Sequence, residues 1–347
     1  MKLVLKTVLA LIVLAALAVA GAAWEGHRRF TAPGPLAASG TVFIPKGSGT
    51  QAIARLLQQG GVIRDPLVFV AATKLKKANL KAGEYEFAAG VSAEGVMRQM
   101  VEGRTLVHKL TVAEGLTVRQ VLTLVNGADY LEGDVARLPR EGWLLPETWH
   151  LSRADDRAEV MARMEKSMRQ LLDQLWAGRD PGLPLKSKEE ALVLASIVER
   201  ETGVKAERPR VAAVFLNRLR LGMPLQSDPT VIYGLSDGMG VLDRPLTRAD
   251  LQTAHPWNTY VNPGLPPTAI ANPGRASLEA VLHPADSDDL YFVADGTGGH
   301  VFARTLDQHN ANVAAWRKIE RQRRGEPEPE PVVPVKKAVP VPAKKRR

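Results

Sequence analysis

At 347 residues with 45% hydrophobic content, the chain is long enough for one large or two ordinary domains with sizeable cores. The absence of cysteine excludes disulfides, thiolate metal sites, cysteine nucleophiles and a lipidated N-terminal cysteine. The formal net charge of +9 owes much to a basic tail (Lys336, Lys337, Lys344, Lys345, Arg346, Arg347), while the middle of the chain mixes both signs, so charge gives little reason to expect a nucleic-acid partner.

Residues 1–6 carry Lys2 and Lys6 and read as a short cytoplasmic N-terminus. The uncharged run TVLALIVLAALAVAGAAW, residues 7–24, follows. At 1.5 Å per residue a helix of that length spans roughly 27 Å, close to the hydrocarbon thickness of a bilayer. Ala18-Val19-Ala20 would suit signal-peptide cleavage, but signal cores run only about 7–15 residues. The expectation is a retained single-pass anchor in the inner (plasma) membrane, with the long domain behind it on the periplasmic or extracytoplasmic side. Residues 25–40, EGHRRFTAPGPLAASG, lack hydrophobic periodicity and read as a linker.

Residues 41–130 predict a small α+β subdomain. Two similar phrases, FIPKGSGTQAIARLLQQGGVI (43–63) and LTVAEGLTVRQVLTLV (110–125), each combine a short strand, a glycine turn and a helix, with Thr50 and Thr117 as expected N-caps. Between them fall a helix over 66–77, a strand over 83–87 and a helix over 92–102. The strand–helix–helix–strand flavour resembles LysM-type carbohydrate-binding modules; a purely structural α+β domain is the alternative.

Residues 131–324 predict a mixed, mainly helical domain with a β-hairpin. Val160, Met164, Met168, Leu171, Leu172 and Leu175 give residues 154–177 one apolar side. A helix over 187–202 starts from a capping box of Ser187 and Glu190, and another covers 211–221. Residues 222–274, rich in Pro, Gly, Asn and Asp, read as a long ordered loop region. DLYFVAD and HVFART flank the turn GTGG at 296–299, a hairpin signature. A helix over 306–324 closes the domain, and the Pro/Lys-rich residues 325–347 cannot bury a core.

The chemistry concentrates in three stretches. LVLASIVERETG (192–203) ends an apolar helix in Glu199 and Glu201. Positions i and i+2 of a helix point about 200° apart, so the two carboxylates cannot form a close dyad. Glu199 shares its face with Leu192, Ala195 and Ser196, and the small residues one turn back would leave room for a ligand; Glu201 lies over Leu194, Ile197 and Val198. A solvated helix end is the plain reading, but a carboxyl buried there would hold its proton near neutral pH. LQSDPTVIYG (225–234) reads as a turn with Asp228 capping the residues after it, and it offers Gln226, Ser227, Asp228 and Tyr233 as hydrogen-bonding groups. HPWNTYVNPGLPPTAIANPG (255–274) sets Trp257 and Tyr260 beside Asn258 and Asn272, the mixture of ring faces and amides that a saccharide cleft uses. The seven histidines lack metal-ligand spacing, and GxSxG, Walker and GxGxxG signatures are absent, so neither metal nor cofactor is expected.

Taken in order, EGWLLPETW (141–149), LASIVERET (194–202), VAAVFLNRLRLGMPLQSDPTVIYG (211–234), NTYVNPGLPPTAIANPG (258–274), LYFVADGTGGHVF (290–302) and His309-Asn310 closely resemble the YceG-like family of endolytic murein transglycosylases. The likeness spans roughly residues 40–320; the tail is the part it leaves unexplained. It implies a transmembrane anchor, a LysM-like subdomain and a catalytic domain facing the cell wall. It further implies cleavage of the β-1,4 bond from N-acetylmuramic acid to N-acetylglucosamine inside peptidoglycan strands, leaving 1,6-anhydro ends, in proximity to peptidoglycan synthases. The family's catalytic glutamate would fall on Glu199, with Glu201 the second candidate. Gln226, Ser227, Asp228, Tyr233, Asn258 and Tyr260 are the expected substrate-binding residues. A muramidase-type hydrolase using Asp228, or a non-catalytic wall-binding scaffold, are the competing readings.

Overall fold

The computed structural model describes residues 2–325, so all of the expected tail beyond Gly325 falls outside the described residues. Helices and short two-stranded sheets mix along the chain, in the expected α+β class, and they divide into two compact units.

The first unit comprises residues 2–171 with the short returns 237–240 and 271–274. Helix α1 (Lys2–Thr31) runs unbroken into the first part of the stretch expected to be a linker, as far as Thr31. Glu25 holds that last part helical by pairing with Arg28 and Arg29, each at 2.8 Å and at the i+3 and i+4 spacings where helix side chains meet. Next come β1 (Gly40–Ile44), α2 (Thr50–Gln59), α3 (Pro66–Leu75) and β2 (Gly83–Phe87). The two strands pair antiparallel, Gly40 opposite Phe87 and Ile44 opposite Gly83, over a core that includes Leu57, Phe69, Tyr85 and Phe87. Thr50 does not cap α2: it is the first helical residue, after Gly49. Asp65 caps α3 by accepting the N–H of Leu67 and Val68 at 3.1 and 3.2 Å, with Pro66 in the first turn where a missing N–H costs nothing. Helix α4 (Ala93–Glu102) starts from Ser92 and ends on left-handed Gly103.

The second phrase of the sequence becomes β3 (His108–Thr111) and α5 (Val118–Asn126), the helix closed by a reciprocal Thr117–Gln120 box. After them come β4 (Leu131–Glu132), β5 (Thr148–Leu151), β6 (Asp155–Asp156) and α6 (Arg157–Ala177). Strand β3 pairs antiparallel with β5, and β4 parallel with β6. Val121, Val125, Leu144, Leu151, Val160 and Met164 form one buried cluster. These pairings tie residues 131–171 to the N-terminal unit, so the division falls at Leu171 and not near residue 130.

The second unit comprises residues 172–236, 241–270 and 275 onward. It contains α7 (Lys188–Glu201), α8 (Arg208–Arg220), α9 (Asp228–Leu235), α10 (Arg275–Leu282), the antiparallel pair β7 (Tyr291–Ala294) and β8 (His300–Ala303), and α11 (Leu306–Arg324). Helices α7, α8 and α10 pack on one another through fully buried residues such as Leu194, Ile197, Val214 and Leu278. Ser187 accepts the N–H of Glu190, but the Glu190 carboxylate turns to the N–H of Lys186 at 2.6 Å, so only half of the expected capping box forms. The stretch expected as a turn at 225–234 is helical from Asp228; Pro229 occupies its first turn, and Ser227 precedes it as the cap residue.

Candidate active site

Glu199 and Glu201 leave the end of α7 in different directions, as the helical period requires. The Glu199 side chain is 4% exposed and accepts from Nη2 of Arg208, itself 6% exposed, at 2.8 Å. A buried ion pair of this kind is costly to break, because removing one partner strands the other charge. The face expected to leave room for a ligand is filled: Leu192, Ala195 and Ser196 are buried, and the Ser196 hydroxyl accepts the N–H of Ile270 at 3.0 Å.

Glu201 occupies a different setting. The residue keeps some exposure, yet burial of its carboxyl pushes the pKa up to about 7. The Ser227 hydroxyl donates to its Oε1 at 2.5 Å, which favours the ionised form, whereas the neighbouring Asp228 charge favours the proton. His300 and Arg218 lie close enough to pull weakly the other way.

The framework behind this carboxyl is built from α9 and the loop at 258–260. The Ser227 N–H donates to Thr259 Oγ1 at 3.0 Å, Thr230 Oγ1 donates to the Ser227 carbonyl at 2.7 Å, and the Thr230 and Thr259 hydroxyls meet at 2.9 Å. Gln226 enters the turn at φ +53°, uncommon outside glycine, and its N–H bonds the Thr259 carbonyl at 3.1 Å. Together these bonds fix Ser227, itself 1% exposed, against Glu201. Asp228 is exposed and accepts from the Tyr260 hydroxyl at 2.6 Å. Burial, then that bond to Asp228, holds the Tyr260 proton well above the usual phenol range.

The expected binding residues separate accordingly. Ser227, Asp228 and Tyr260 gather around Glu201, and Gln226 precedes Ser227 in the turn. Tyr233 packs its ring on Trp257 at 5.7 Å. In the same helix Gly234 has no room for a side chain, since a Cβ there would meet His255 Nδ1 at 2.3 Å. Asn258 is 1% exposed and spends its amide on the carbonyls of Leu251 and Thr253 at 3.1 and 2.8 Å, so it shapes the loop and does not reach a ligand. Asn272 is likewise buried, bonded to the Leu144 N–H and the Leu116 carbonyl in the first unit.

Two further groups lie near Glu201, neither of them expected at the site from the sequence. Arg218, 7% exposed in α8, donates Nε to the Leu290 carbonyl and Nη1 to the Leu225 carbonyl, both at 2.7 Å, and burial lowers its pKa. An arginine inside the apolar run VAAVFLNRLRLG was the available signal. His300 bonds Glu207 through both Nδ1 and its backbone N–H, at 2.8 and 2.9 Å. Burial works to raise the Glu207 pKa, but these bonds outweigh it and the carboxylate is held below its usual range.

Residues 42–315 match the YceG-like family. The chain belongs to that family. A Bacillus subtilis protein named endolytic murein transglycosylase is 33% identical over 300 residues, covering 77% of this chain and 82% of that protein. A Streptococcus pneumoniae protein of the same name is 29% identical; the match covers 79% of this chain and 58% of the relative's length. A crystal structure of a YceG-like protein from Listeria monocytogenes is 30% identical, covering 79% of this chain and 98% of that one at a TM-score of 0.47.

Proposed function

We propose that this chain is a membrane-anchored endolytic murein transglycosylase whose acid is Glu201. The observation that carries the reading is a carboxyl raised by burial to about 7, gripped by a buried serine and set beside an exposed aspartate. Membership of a family whose relatives bear that name supports the substrate class. Glu201 is preferred over Glu199 because the latter is committed to Arg208.

In this scheme protonated Glu201 gives its proton to the glycosidic oxygen between N-acetylmuramic acid and N-acetylglucosamine. The resulting carboxylate takes the proton of the muramoyl C6 hydroxyl as that oxygen attacks C1, closing a 1,6-anhydro ring. One carboxyl performs both transfers in turn, unlike the paired carboxylates of most glycosidases. Ser227 stabilises the carboxylate stage, Asp228 the protonated stage, and Tyr260 orients Asp228. Gln226 and Tyr233 are the remaining candidates for gripping sugar.

Helix α1 contains a span long and apolar enough to cross a bilayer, Val4–Thr31, and serves as the anchor in this reading, with the enzyme on the extracytoplasmic side beside peptidoglycan synthases, where cutting limits strand length. The β1–α2–α3–β2 order supports a LysM-like assignment for that module. Asp228 beside Glu201 also suits a muramidase that adds water. Digestion of purified peptidoglycan with mass analysis of the new ends separates the two: anhydro-muramoyl ends support the lyase, whereas ends carrying an added water overturn it in favour of the hydrolase. Binding without new ends leaves a scaffold.

A further inference from the structure

Helix α3 is apolar on both sides. Phe69 and Thr73 face the module's core at 0% and 3% exposure. Leu67, Ala71 and Leu75, at i, i+4 and i+8, share the opposite face, with the two leucines 79% and 84% exposed. Two bare leucines on one face of a ten-residue helix call for a covering surface.

The placement of α3 on α1 indicates which surface. At the N-terminal end of α3, Asp65 meets Arg29 Nη1 at 3.4 Å; at its other end, Lys76 Nζ lies 5.1 Å from the Phe30 ring. Both ends of a helix about 15 Å long therefore reach adjacent residues of α1, so α3 lies across the end of α1 and not along it. Phe30 is buried in the module's core, and the Gly34 N–H bonds the carbonyls of Gly90 and Val91, which fastens the two together. The uncharged run of α1 ends at Trp24, 68% exposed, five residues before Arg29. That is about 7.5 Å of helix rise, the depth of a headgroup layer. A cleft of about 560 Å³ between Glu25, Arg28 and Arg29 of α1 and the first turn of α3 opens at this level, with exposed Arg64 at its edge. Glu25 and Asp65 offset part of that positive charge, and Lys74 and Lys77 restore it at the far end of α3.

We propose that α3 is an interfacial helix: it lies in the headgroup layer of the bilayer that α1 crosses, with Leu67 and Leu75 among the acyl-chain ends and the flanking basic residues on phosphates. This rests on the reading of α1 as a membrane anchor. Its consequence is that the β1–α2–α3–β2 module is held flat on the membrane in one orientation, not tethered loosely above it.

The cysteine-free chain permits a direct test. The full-length protein in phospholipid vesicles would carry single spin labels at Leu67→Cys, Leu75→Cys, Leu14→Cys in the apolar run, or Leu124→Cys, an exposed position on α5. Collision rates with oxygen and with a water-soluble nickel chelate then read depth. The proposal expects Leu67 and Leu75 labels to gain oxygen accessibility and lose nickel accessibility relative to Leu124, at a depth shallower than Leu14. Leu67 and Leu75 labels as nickel-accessible as Leu124, while Leu14 reads lipid, would overturn the interfacial helix and leave the anchor standing. Loss of accessibility to both reagents would mean a protein covers the face, and protection of one leucine alone would rule out the flat orientation. A Leu14 label in water would remove the anchor and the proposal with it.

Discussion

The two glutamates at the end of α7 share one helix and almost one sequence neighbourhood, yet the surroundings of Glu199 and Glu201 differ in kind. Around Glu199 the chain supplies a full opposite charge, Arg208, and seals both side chains from water. Around Glu201 it supplies a hydroxyl and a like charge, and burial raises the carboxyl pKa. The first arrangement commits the carboxylate to an ion pair. The second keeps a carboxyl near the point where gaining and losing a proton cost the same at neutral pH. In the proposed mechanism the choice between the two glutamates rests on which partners the next elements bring, not on the carboxyl itself.

The contrast is sharpest if it is broken on the Glu199 side. Glu199→Gln leaves Arg208 buried beside a neutral group, and removing one member of such a pair costs about 3–5 kcal/mol. Chemical denaturation should register that loss, while the folded fraction retains normal turnover. The loop beneath Glu201 should be less sensitive: Asn258→Ala leaves buried carbonyls of the 251–253 segment unpaired, at about 1–3 kcal/mol, again read by denaturation. Smallest, and most specific, are shifts in pH dependence. In the proposed mechanism Glu201 acts from its protonated form, so activity should decline as pH rises through about 7. Ser227→Ala removes a bond that favours the carboxylate, so the declining limb should move to higher pH; Asp228→Asn removes a like charge, so it should move lower. Movement in the same direction for both variants would contradict the assignment.

The same pKa has a consequence for stability. Glu201 is raised in the folded state from 4.5 to about 7, so between those values the folded chain binds more protons than the unfolded one. Its contribution is therefore greatest below about 4.5 and declines until pH passes about 7. Comparison of the native chain with Glu201→Gln over that window isolates the term.

Much of this was legible from residue order. The closing helix expected over 306–324 is α11, and the apolar run gives α7 with Ser187 before it. Helical geometry also separates Glu199 from Glu201. It does not say which of them is used, because their partners arrive from 9 and 26 residues downstream, through folding of α8 and α9. Proline after Asp228 read as a turn, whereas a proline in a first helical turn looks the same in sequence. Asn258 read as a sugar ligand since an amide beside aromatics suits one; that its hydrogens would go to loop carbonyls depends on a chain path no local pattern encodes.

The most direct test of Glu201 as the acid is parallel peptidoglycan digestion by the native chain, Glu201→Gln and Glu199→Gln, each below its unfolding temperature and corrected for folded fraction. Loss of a general acid lowers rates by about 10²–10⁴-fold. New anhydro-muramoyl ends should therefore all but vanish with Glu201→Gln and persist with Glu199→Gln; ends that persist with Glu201→Gln and vanish with Glu199→Gln would return the catalytic role to the ion-paired glutamate.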